Sequence, residues 1–222
     1  MGRGSVTMRD MRYSLFTVSQ TQSALLATAF SLFSFHTGNK YCGTCGSKTK
    51  RNASGSQRTC EKCSLNIYPN SRPVGIVLVT NPANTRVLLV RQRQHPPFMY
   101  TCIAGFADAG ETVEECVRRE VAEETGLDVT DVRYFGSQHW PFPATLLAAC
   151  LATAHSAQIS REVIELEAAR WFSRTEVEEA LNIAGRKPMP LYGKEAPDCT
   201  FVAPPSYTIA NHIMHYWLNS TA

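Results

Sequence analysis

The pattern of apolar and polar positions predicts one sheet lying between helices. Short apolar or β-branched runs at residues 74–79 and 87–90 flank turn-forming residues 81–84, which indicates a strand, a turn and a second strand. Further strands are expected near residues 132–135, 146–153 and 168–172, and helices near residues 112–125, 175–181 and 207–218. This alternation is typical of an α/β fold with a mixed sheet.

The start of the chain combines a helical pattern with a basic bias. Apolar positions within residues 23–36 predict a helix, and residues 1–20 hold three arginines against one acidic residue. Such a bias is typical of a mitochondrial transit peptide, and a disordered tail has a similar composition. Both alternatives stay open, and with them a mitochondrial or a cytoplasmic location.

No membrane span is expected. The longest apolar stretch, residues 24–35, is interrupted by Thr28, Ser31 and Ser34, whereas a spanning helix needs about 20 predominantly apolar residues. The formal charge of +3 and the hydrophobic content of 44% are those of an ordinary soluble protein. No basic run is long enough to indicate nucleic acid binding from composition alone.

Four of the eight cysteines form two pairs with metal-ligand spacing. Two residues separate the members of each pair and fourteen lie between the pairs, which are Cys42 with Cys45 and Cys60 with Cys63. Thiolates at this spacing can surround one tetrahedral zinc ion, and four cysteine ligands leave no position for a substrate, so the zinc would be structural. Two disulfides or unrelated thiols are the alternative. The other four cysteines are expected to be buried and inert.

A helix with a marked beginning and end presents several carboxylates within residues 105–127. Thr112 followed by Glu115 is a capping box that begins the helix, and Gly126 can take the left-handed conformation that ends it. Three further glutamates lie three or four positions apart and project from one face: Glu120, Glu123 and Glu124. Like charges at this spacing repel by about 0.2–0.5 kcal/mol per pair, and a divalent cation would remove the repulsion.

Mg or Mn fits this acidic face. Hard cations prefer carboxylate oxygen and can bridge to the phosphates of a diphosphate, where they neutralise developing charge and acidify a bound water. Val113, Val117 and Val121 supply an apolar stripe that would hold the helix on the sheet. Arg119 stands next to Glu120, where a cation can pin the carboxylates. A solvated acidic face without a ligand is the alternative.

Together these positions resemble the signature of the Nudix hydrolases. That signature is Gly, five residues, Glu, seven residues, then Arg-Glu-aliphatic-any-Glu-Glu-any-Gly-aliphatic, and residues 105–127 match all nine specified positions, with Val121 and Leu127 in the aliphatic places. The resemblance implies an α/β/α sandwich. It also implies hydrolysis of a nucleoside diphosphate linked to another moiety.

A second motif resembles the NADH pyrophosphatase branch of that family. Residues 137–145 read Ser-Gln-His-Trp-Pro-Phe-Pro-Ala-Thr, close to the SQPWPFPxS element, with His139 in place of a proline and Thr145 in place of a serine. Trp140 and Phe142 offer flat faces between rigid prolines, so the segment could form a platform beside a planar ring. A proline-stiffened loop with core aromatics is the alternative. The same branch has a four-cysteine zinc ribbon ahead of its hydrolase domain.

The resemblance implies a set of site residues. Catalysis and metal binding would involve Glu120, Glu123 and Glu124, with the Ala104 carbonyl and Glu165 as further metal ligands. Substrate contacts would come from the following residues: Tyr68, Phe106, Gln138, His139, Trp140, Pro141, Phe142, Pro143, Ala144, Thr145 and Ala210. The segments would be a tail or transit segment (1–23), a helix plus zinc ribbon (24–70) and a Nudix domain (71–222).

The activity implied by the resemblance is metal-dependent hydrolysis of NADH or NAD to nicotinamide mononucleotide and AMP, with NAD-capped RNA as a further substrate. The alternatives are hydrolysis of ADP-ribose or dinucleoside polyphosphates, and a non-catalytic binding protein. Members of the branch have a sizeable N-terminal lobe, whereas about 40 residues precede Cys42. The presence of His139 in place of the motif proline resembles a mitochondrial branch of the family and favours a mitochondrial location. A homodimer is left open.

Overall fold

The computed structural model describes residues 10–159, 166–186 and 199–220. They divide into two compact units. The first takes in the chain up to Ser71 together with His139–Thr145, and the second takes in Arg72–Gln138 and the chain from Leu146 onward.

The first unit contains two helices and a small ribbon. Helix α1 spans Met11–Thr17 and helix α2 spans Gln20–Gly38, which begins at a capping box formed by Ser19 and Gln22. The ribbon has three short antiparallel strands in the order β1-β2-β3, namely β1 (Thr49–Arg51), β2 (Arg58–Cys60) and β3 (Asn66–Ile67).

The start of this unit differs from a featureless tail. The helix expected within residues 23–36 is present and begins earlier, because the capping box lies at residues 19–22. Residues 11–17 fall in the predicted tail or transit segment, yet they form helix α1. Leu15 of this helix is buried. A tail that is disordered throughout is therefore the wrong description of residues 11–17.

The second unit is a sheet with helices on both faces. Its strands follow the order β7-β8-β4-β5-β9, and β6 pairs with β4. The elements are β4 (Arg72–Thr80), β5 (Arg86–Arg91), β6 (Ile103–Phe106), α3 (Val113–Thr125), β7 (Val129–Trp140), β8 (Thr145–Ala154), β9 (Ala168–Ser173), α4 (Arg174–Arg186) and α5 (Ile209–Asn219).

Alternation along β4 explains the two helical layers. Successive side chains of a strand point to opposite faces, and Ile76 and Leu78 pack into the cluster that contains residues of α4 and α5. Val77 and Val79 pack into the cluster that contains residues of α3. The sheet is therefore apolar on both sides, and the predicted α/β/α sandwich is confirmed.

Two strands differ from the sequence expectation. Strand β6 was not predicted, because four residues that include a glycine are too short to show a period of two. Its pairing places Gly105 opposite Gly75 of β4. Strand β7 is longer than the run at residues 132–135, since polar residues extend it to Trp140. Among the described helices, none has the length and apolarity to cross a membrane.

Candidate active site

Helix α3 begins and ends where the local sequence predicts. The Thr112 backbone N–H donates to the Glu115 carboxylate at 2.8 Å, and the Glu115 N–H donates to the Thr112 hydroxyl at 3.2 Å. Gly126 closes the helix in the left-handed region with φ of 70°. The N–H of Thr112 lowers the pKa of Glu115. Both boundaries of the acidic helix are therefore confirmed.

The apolar side of α3 holds the helix on the sheet. Val117 and Val121 are fully buried in the core cluster that includes Val77 and Val79 of β4, and Val113 packs at its edge. This arrangement confirms the predicted stripe. Glu120 and Glu123 lie along the remaining sides of α3, whereas Glu124 is buried on the same helix as Val117 and Val121.

The Arg119 guanidinium gathers the carboxylates. It donates to both oxygens of Glu111 at 2.6 and 2.8 Å, to Glu120 at 2.8 Å and to Glu123 at 3.0 Å. Its fifth N–H donates to the carbonyl of Phe106 at 2.8 Å. All five donors of the guanidinium are thus used. The predicted pinning of carboxylates by Arg119 is confirmed, and Glu111 is its bidentate partner.

These contacts shift the ionisation of both partners. The hydrogen bonds from Arg119, with a further one from the Asp108 N–H, lower the pKa of Glu111 to about 2. The hydrogen bonds to Glu111 and then to Glu120 raise the pKa of Arg119. The Glu111–Arg119 pair therefore stays charged throughout the physiological pH range.

Gly105 forms the seat of the Glu120 carboxylate. A Cβ atom added at Gly105 would lie 1.9 Å from Cδ of Glu120 and 2.0 Å from one of its carboxylate oxygens. No side chain can therefore occupy this position while Glu120 keeps its place. The first glycine of the signature is explained by this close approach, which only the folded structure reveals.

The three glutamates differ in their contact with solvent. Glu124 is 4% exposed, the side chain of Glu120 is 14% exposed and that of Glu123 is 59% exposed. They offer a set of hard carboxylate oxygens that is partly shielded from water, and Ala104 precedes the Gly105 seat in β6. Carboxylate oxygen is the donor type that hard divalent cations prefer. Among the described residues, however, only the four clustered cysteines bring three or more candidate ligand atoms within 4.8 Å of one another, so the three glutamates are not drawn together to that distance. Glu165 lies outside the described residues.

The four predicted cysteine ligands converge in the ribbon. The sulfur of Cys45 lies 3.4 Å from that of Cys60 and 3.6 Å from that of Cys63, and Cys42 and Cys63 are 3.7 Å apart. A zinc ion with four sulfurs at about 2.3 Å in a tetrahedron sets sulfur separations of about 3.8 Å. The geometry fits zinc, and the thiols are free rather than paired in disulfides.

Hydrogen bonds and neighbouring sulfurs shift the pKa values of the clustered thiols. The N–H groups of Lys62 and Cys63 both point to the Cys60 sulfur at 3.4 Å. Hydrogen bonds from Ser47 lower the pKa of Cys45 to about 6. The N–H of Leu65 lowers the pKa of Cys63, but the neighbouring sulfurs of Cys60 and Cys45 outweigh it and raise that pKa to about 11. Thiolates this close repel one another unless a cation lies between them.

The aromatic and proline motif lies in the first unit. Within it, Trp140 and Phe142 meet edge to face at 6.1 Å, and the Thr145 hydroxyl donates to the Trp140 carbonyl at 3.2 Å. Phe142 also contacts the ring of Phe30 in α2 at 5.2 Å. The hydroxyl-bearing Thr145 therefore closes the turn that carries the two rings.

The substituted histidine and the remaining motif residues have identifiable places. The Nε2 of His139 lies 2.8 Å from the Ser31 hydroxyl of α2, a contact that a proline at this position could not make. Pro141, Pro143 and Ala144 form the turn between β7 and β8, with Ala144 at a φ of 77°. Tyr68 follows β3 in this unit and is exposed.

The other substrate-motif residues lie in the second unit. The side-chain amide of Gln138 donates to the Tyr207 carbonyl at 2.9 Å and accepts from the Ile209 N–H at 2.8 Å. Gln138 therefore holds the turn that leads into α5, where Ala210 is buried. Phe106 is half exposed at the end of β6. Sequence reasoning missed this backbone-holding contact of Gln138, since the two segments are far apart in the chain.

Comparison with known families agrees with this geometry. A family model described as the NUDIX domain matches residues 69–192, more than half of the chain. The chain belongs to the Nudix family. A second family model, described as the NADH pyrophosphatase zinc ribbon domain, matches residues 39–68 and includes all four clustered cysteines.

Several curated Nudix relatives are similar to this chain. NAD(P)H pyrophosphatase NUDT13, mitochondrial, from Homo sapiens is 41% identical over 212 residues, covering 94% of this chain and 58% of the relative. NAD-capped RNA hydrolase NUDT12 from Macaca fascicularis is 40% identical over 213 residues, covering 92% and 44%. NAD-capped RNA hydrolase NudC from Vibrio vulnificus (strain CMCP6) is 41% identical over 134 residues, covering 60% and 51%. The chain thus spans about half the length of these relatives.

The seat at Gly105 gives a direct test of the Nudix site. Gly105→Ala is expected to lower the kcat for hydrolysis of a nucleoside diphosphate substrate by about a hundredfold, because the new methyl displaces the Glu120 carboxylate. Gly136→Ala is the matched control, since its added Cβ would meet only Ile209, at 3.9 Å. Steady-state kinetics and thermal unfolding of both variants check this. Full activity in Gly105→Ala would contradict the assigned role of the glycine.

The Glu111–Arg119 pair predicts a loss of stability in acid. Because the pKa of Glu111 falls from 4.5 to about 2 on folding, its contribution is present above pH 4.5 and is lost as pH falls toward 2. Glu111→Gln removes that contribution. Urea unfolding across this range should therefore show a shallower loss of stability in the variant than in the wild type. Parallel curves would show that the pair contributes nothing to acid sensitivity.

Proposed function

We propose that this chain hydrolyses the diphosphate bond of NADH or NAD to nicotinamide mononucleotide and AMP. The observation that carries the proposal is the Arg119-anchored carboxylate cluster on α3, seated against Gly105. The zinc ribbon match and the names of the similar relatives support the choice of NAD(H) among nucleoside diphosphates.

The acidic face of α3 is the proposed catalytic centre. Glu120, Glu123 and Glu124 would hold Mg or Mn, with the Ala104 carbonyl and Glu165 as further ligands. Bound there, the cation would supply Lewis-acid stabilisation of negative charge on the diphosphate. Four cysteines would hold a structural zinc ion in the ribbon: Cys42, Cys45, Cys60 and Cys63.

The chain's own residues have distinct tasks in the proposed reaction. A water oxygen bonds to one phosphorus while the bond from that phosphorus to the bridging oxygen breaks, which yields the two mononucleotides. We assign Glu124, which is 4% exposed and lies four positions after Glu120 on α3, as the group that accepts the proton of this water. Arg119 orients Glu120 and Glu123 through its hydrogen bonds, so little reorganisation is needed when the substrate arrives.

Substrate recognition is assigned to the motif residues predicted from the sequence. Trp140 and Phe142 offer aromatic surface for a planar ring, and the remaining contacts would come from the segment that ends at Thr145, with Tyr68, Phe106 and Ala210. Gln138 would act indirectly, because both ends of its amide already bind backbone groups beside Ala210.

NAD-capped RNA is a second proposed substrate, since the same diphosphate occurs there and two of the similar relatives are named as NAD-capped RNA hydrolases. The mitochondrial name of the human relative supports a mitochondrial location for this chain. ADP-ribose hydrolysis and a non-catalytic binding role are the competing functions. The homodimer stays a prediction.

One comparison of variants separates these functions. Glu124→Gln should lower kcat for NADH by about a hundredfold or more with Mg or Mn present, because the isosteric amide neither binds the cation strongly nor accepts the proton. Glu114→Gln is the control, since Glu114 is an exposed carboxylate in the first turn of the same helix. NADH, NAD and ADP-ribose are assayed side by side.

Each outcome has a defined meaning. Absence of any diphosphate cleavage by the wild type would exclude the enzyme and favour a binding protein. Much faster cleavage of ADP-ribose than of NADH would overturn only the substrate assignment. Equal loss in Glu114→Gln and Glu124→Gln would mean that helix charge, rather than Glu124, is responsible.

A further inference from the structure

Positive charge is concentrated in the zinc ribbon. Residues 39–68, the segment matched by the ribbon family, contain six of the chain's 22 lysines and arginines but one of its 19 acidic residues. With its cysteines counted as neutral thiols, the formal charge of this segment is +5, whereas that of the whole chain is +3. A zinc ion (+2) on the four thiolates (−4) would leave the segment at +3. No long basic run marks it in the sequence, because the cations are dispersed among turn and strand residues.

The ribbon fold exposes these cations without neutralising them. Five of the six are exposed, namely Lys40, Lys48, Lys50, Arg51 and Lys62. Within the described part of the chain, none of these five forms an ion pair. The sixth, Arg58, instead donates to the side chain and carbonyl of Thr49.

Strand register brings like charges together. Arg51 of β1 stands directly opposite Arg58 of β2, a placement that is unfavourable for a ribbon that serves only as structure. Lys50 points to the face of β1 opposite that of Arg51. Lys48 precedes the strand and forms an isolated bridge with Tyr41. The β1–β2 hairpin thus presents cations on both faces, as an electrostatic surface for a polyanion does.

The hairpin also has a concave surface and a neighbouring aromatic ring. Residues 50–55 line an open depression of about 650 Å³ that includes Lys50 and Arg51. Tyr41 is 62% exposed and pairs across the ribbon with Lys48. Cationic side chains beside a free aromatic face are the combination that binds single-stranded nucleic acid, through phosphate contacts and base stacking.

We propose that the β1–β2 hairpin of the zinc ribbon, with Tyr41, binds the phosphodiester chain of single-stranded RNA. This deepens the proposed function and depends on it for its biological purpose, since the RNA would be the chain attached to the hydrolysed diphosphate. The ribbon would then favour capped RNA over the free dinucleotide, while the acidic helix acts on both.

RNA fits this surface better than an anionic membrane does. Peripheral membrane elements combine cations with large apolar side chains that insert into the interface. The hairpin turn, residues 52–57, contains Asn, Ala, Ser, Gly, Ser and Gln, so it offers no apolar group larger than a methyl. The hairpin surface combines exposed cations with an aromatic ring and has no large apolar side chain in its turn. Such a surface is suited to binding a nucleic acid rather than a membrane.

The test measures binding of a short uncapped single-stranded RNA to the 222-residue chain over a range of salt concentrations. Lys50→Gln/Arg51→Gln should weaken binding about tenfold and reduce the slope of log K against log salt by about 1.4, since each lost phosphate contact accounts for about 0.7. The control Arg93→Gln/Arg133→Gln removes the same charge from exposed positions of the second unit and should change neither value appreciably.

A second variant separates stacking from charge. Tyr41→Leu should weaken RNA binding about fivefold or more with the salt slope unchanged, since a base–aromatic stack contributes without releasing counterions. Zinc content of each ribbon variant confirms that the cluster is intact. NADH hydrolysis should be unaffected in Lys50→Gln/Arg51→Gln, while kcat/KM for NAD-capped RNA should fall.

Absence of RNA binding by the wild type would overturn the proposal, as would equal weakening in the two charge variants. Binding to phosphatidylserine vesicles is measured in parallel. If Lys50→Gln/Arg51→Gln weakens vesicle binding and leaves RNA binding unchanged, the proposal is also overturned. Because uncapped RNA is not hydrolysed at a diphosphate, this binding is independent of turnover. RNA binding without NADH hydrolysis would therefore refute only the proposed function. NADH hydrolysis without RNA binding would refute only the ribbon inference.

Discussion

The candidate site depends on one guanidinium. Several carboxylates crowded on α3 and in the turn before it repel one another, and Arg119 offsets this by donating to Glu111, Glu120 and Glu123 at once. Its last donor fixes it to the Phe106 carbonyl of the sheet. The acidic face is therefore held against strand β6 rather than left to move with the side chains. Gly105 completes the arrangement because it leaves room for Glu120 beside the backbone.

The rest of the fold supplies the position of that guanidinium. Alternating side chains of β4 make the sheet apolar on both faces, so one face accepts the valines of α3 and the other accepts α4 and α5. The Thr112 cap and Gly126 set where α3 begins and ends. Helix length, apolar stripe and carboxylate spacing are consequently consistent with one another, as expected of a sequence that specifies one structure.

Features with local causes could be predicted from sequence. The capping box, the helix end at Gly126, the valine stripe and the two cysteine pairs each depend on residues within a few positions, and the structure contains all of them. The sequence shows Gly105 only as a position of the signature. The reason for the glycine is its close approach to the Glu120 carboxylate, which requires the fold. The contact of Gln138 with Tyr207 likewise required the fold. Short β6 has too few residues for a periodic signal.

Arg119 is proposed to organise the catalytic carboxylates. Steady-state hydrolysis of NADH by Arg119→Lys tests this proposal, because lysine keeps the charge but cannot make the five-donor fork. Arg118→Lys, at the exposed neighbouring position, is the control. Arg119→Lys is expected to lower kcat by about a hundredfold at saturating Mg²⁺ while the fold is retained, and the control is expected to be unaffected. Wild-type kcat in Arg119→Lys would contradict it.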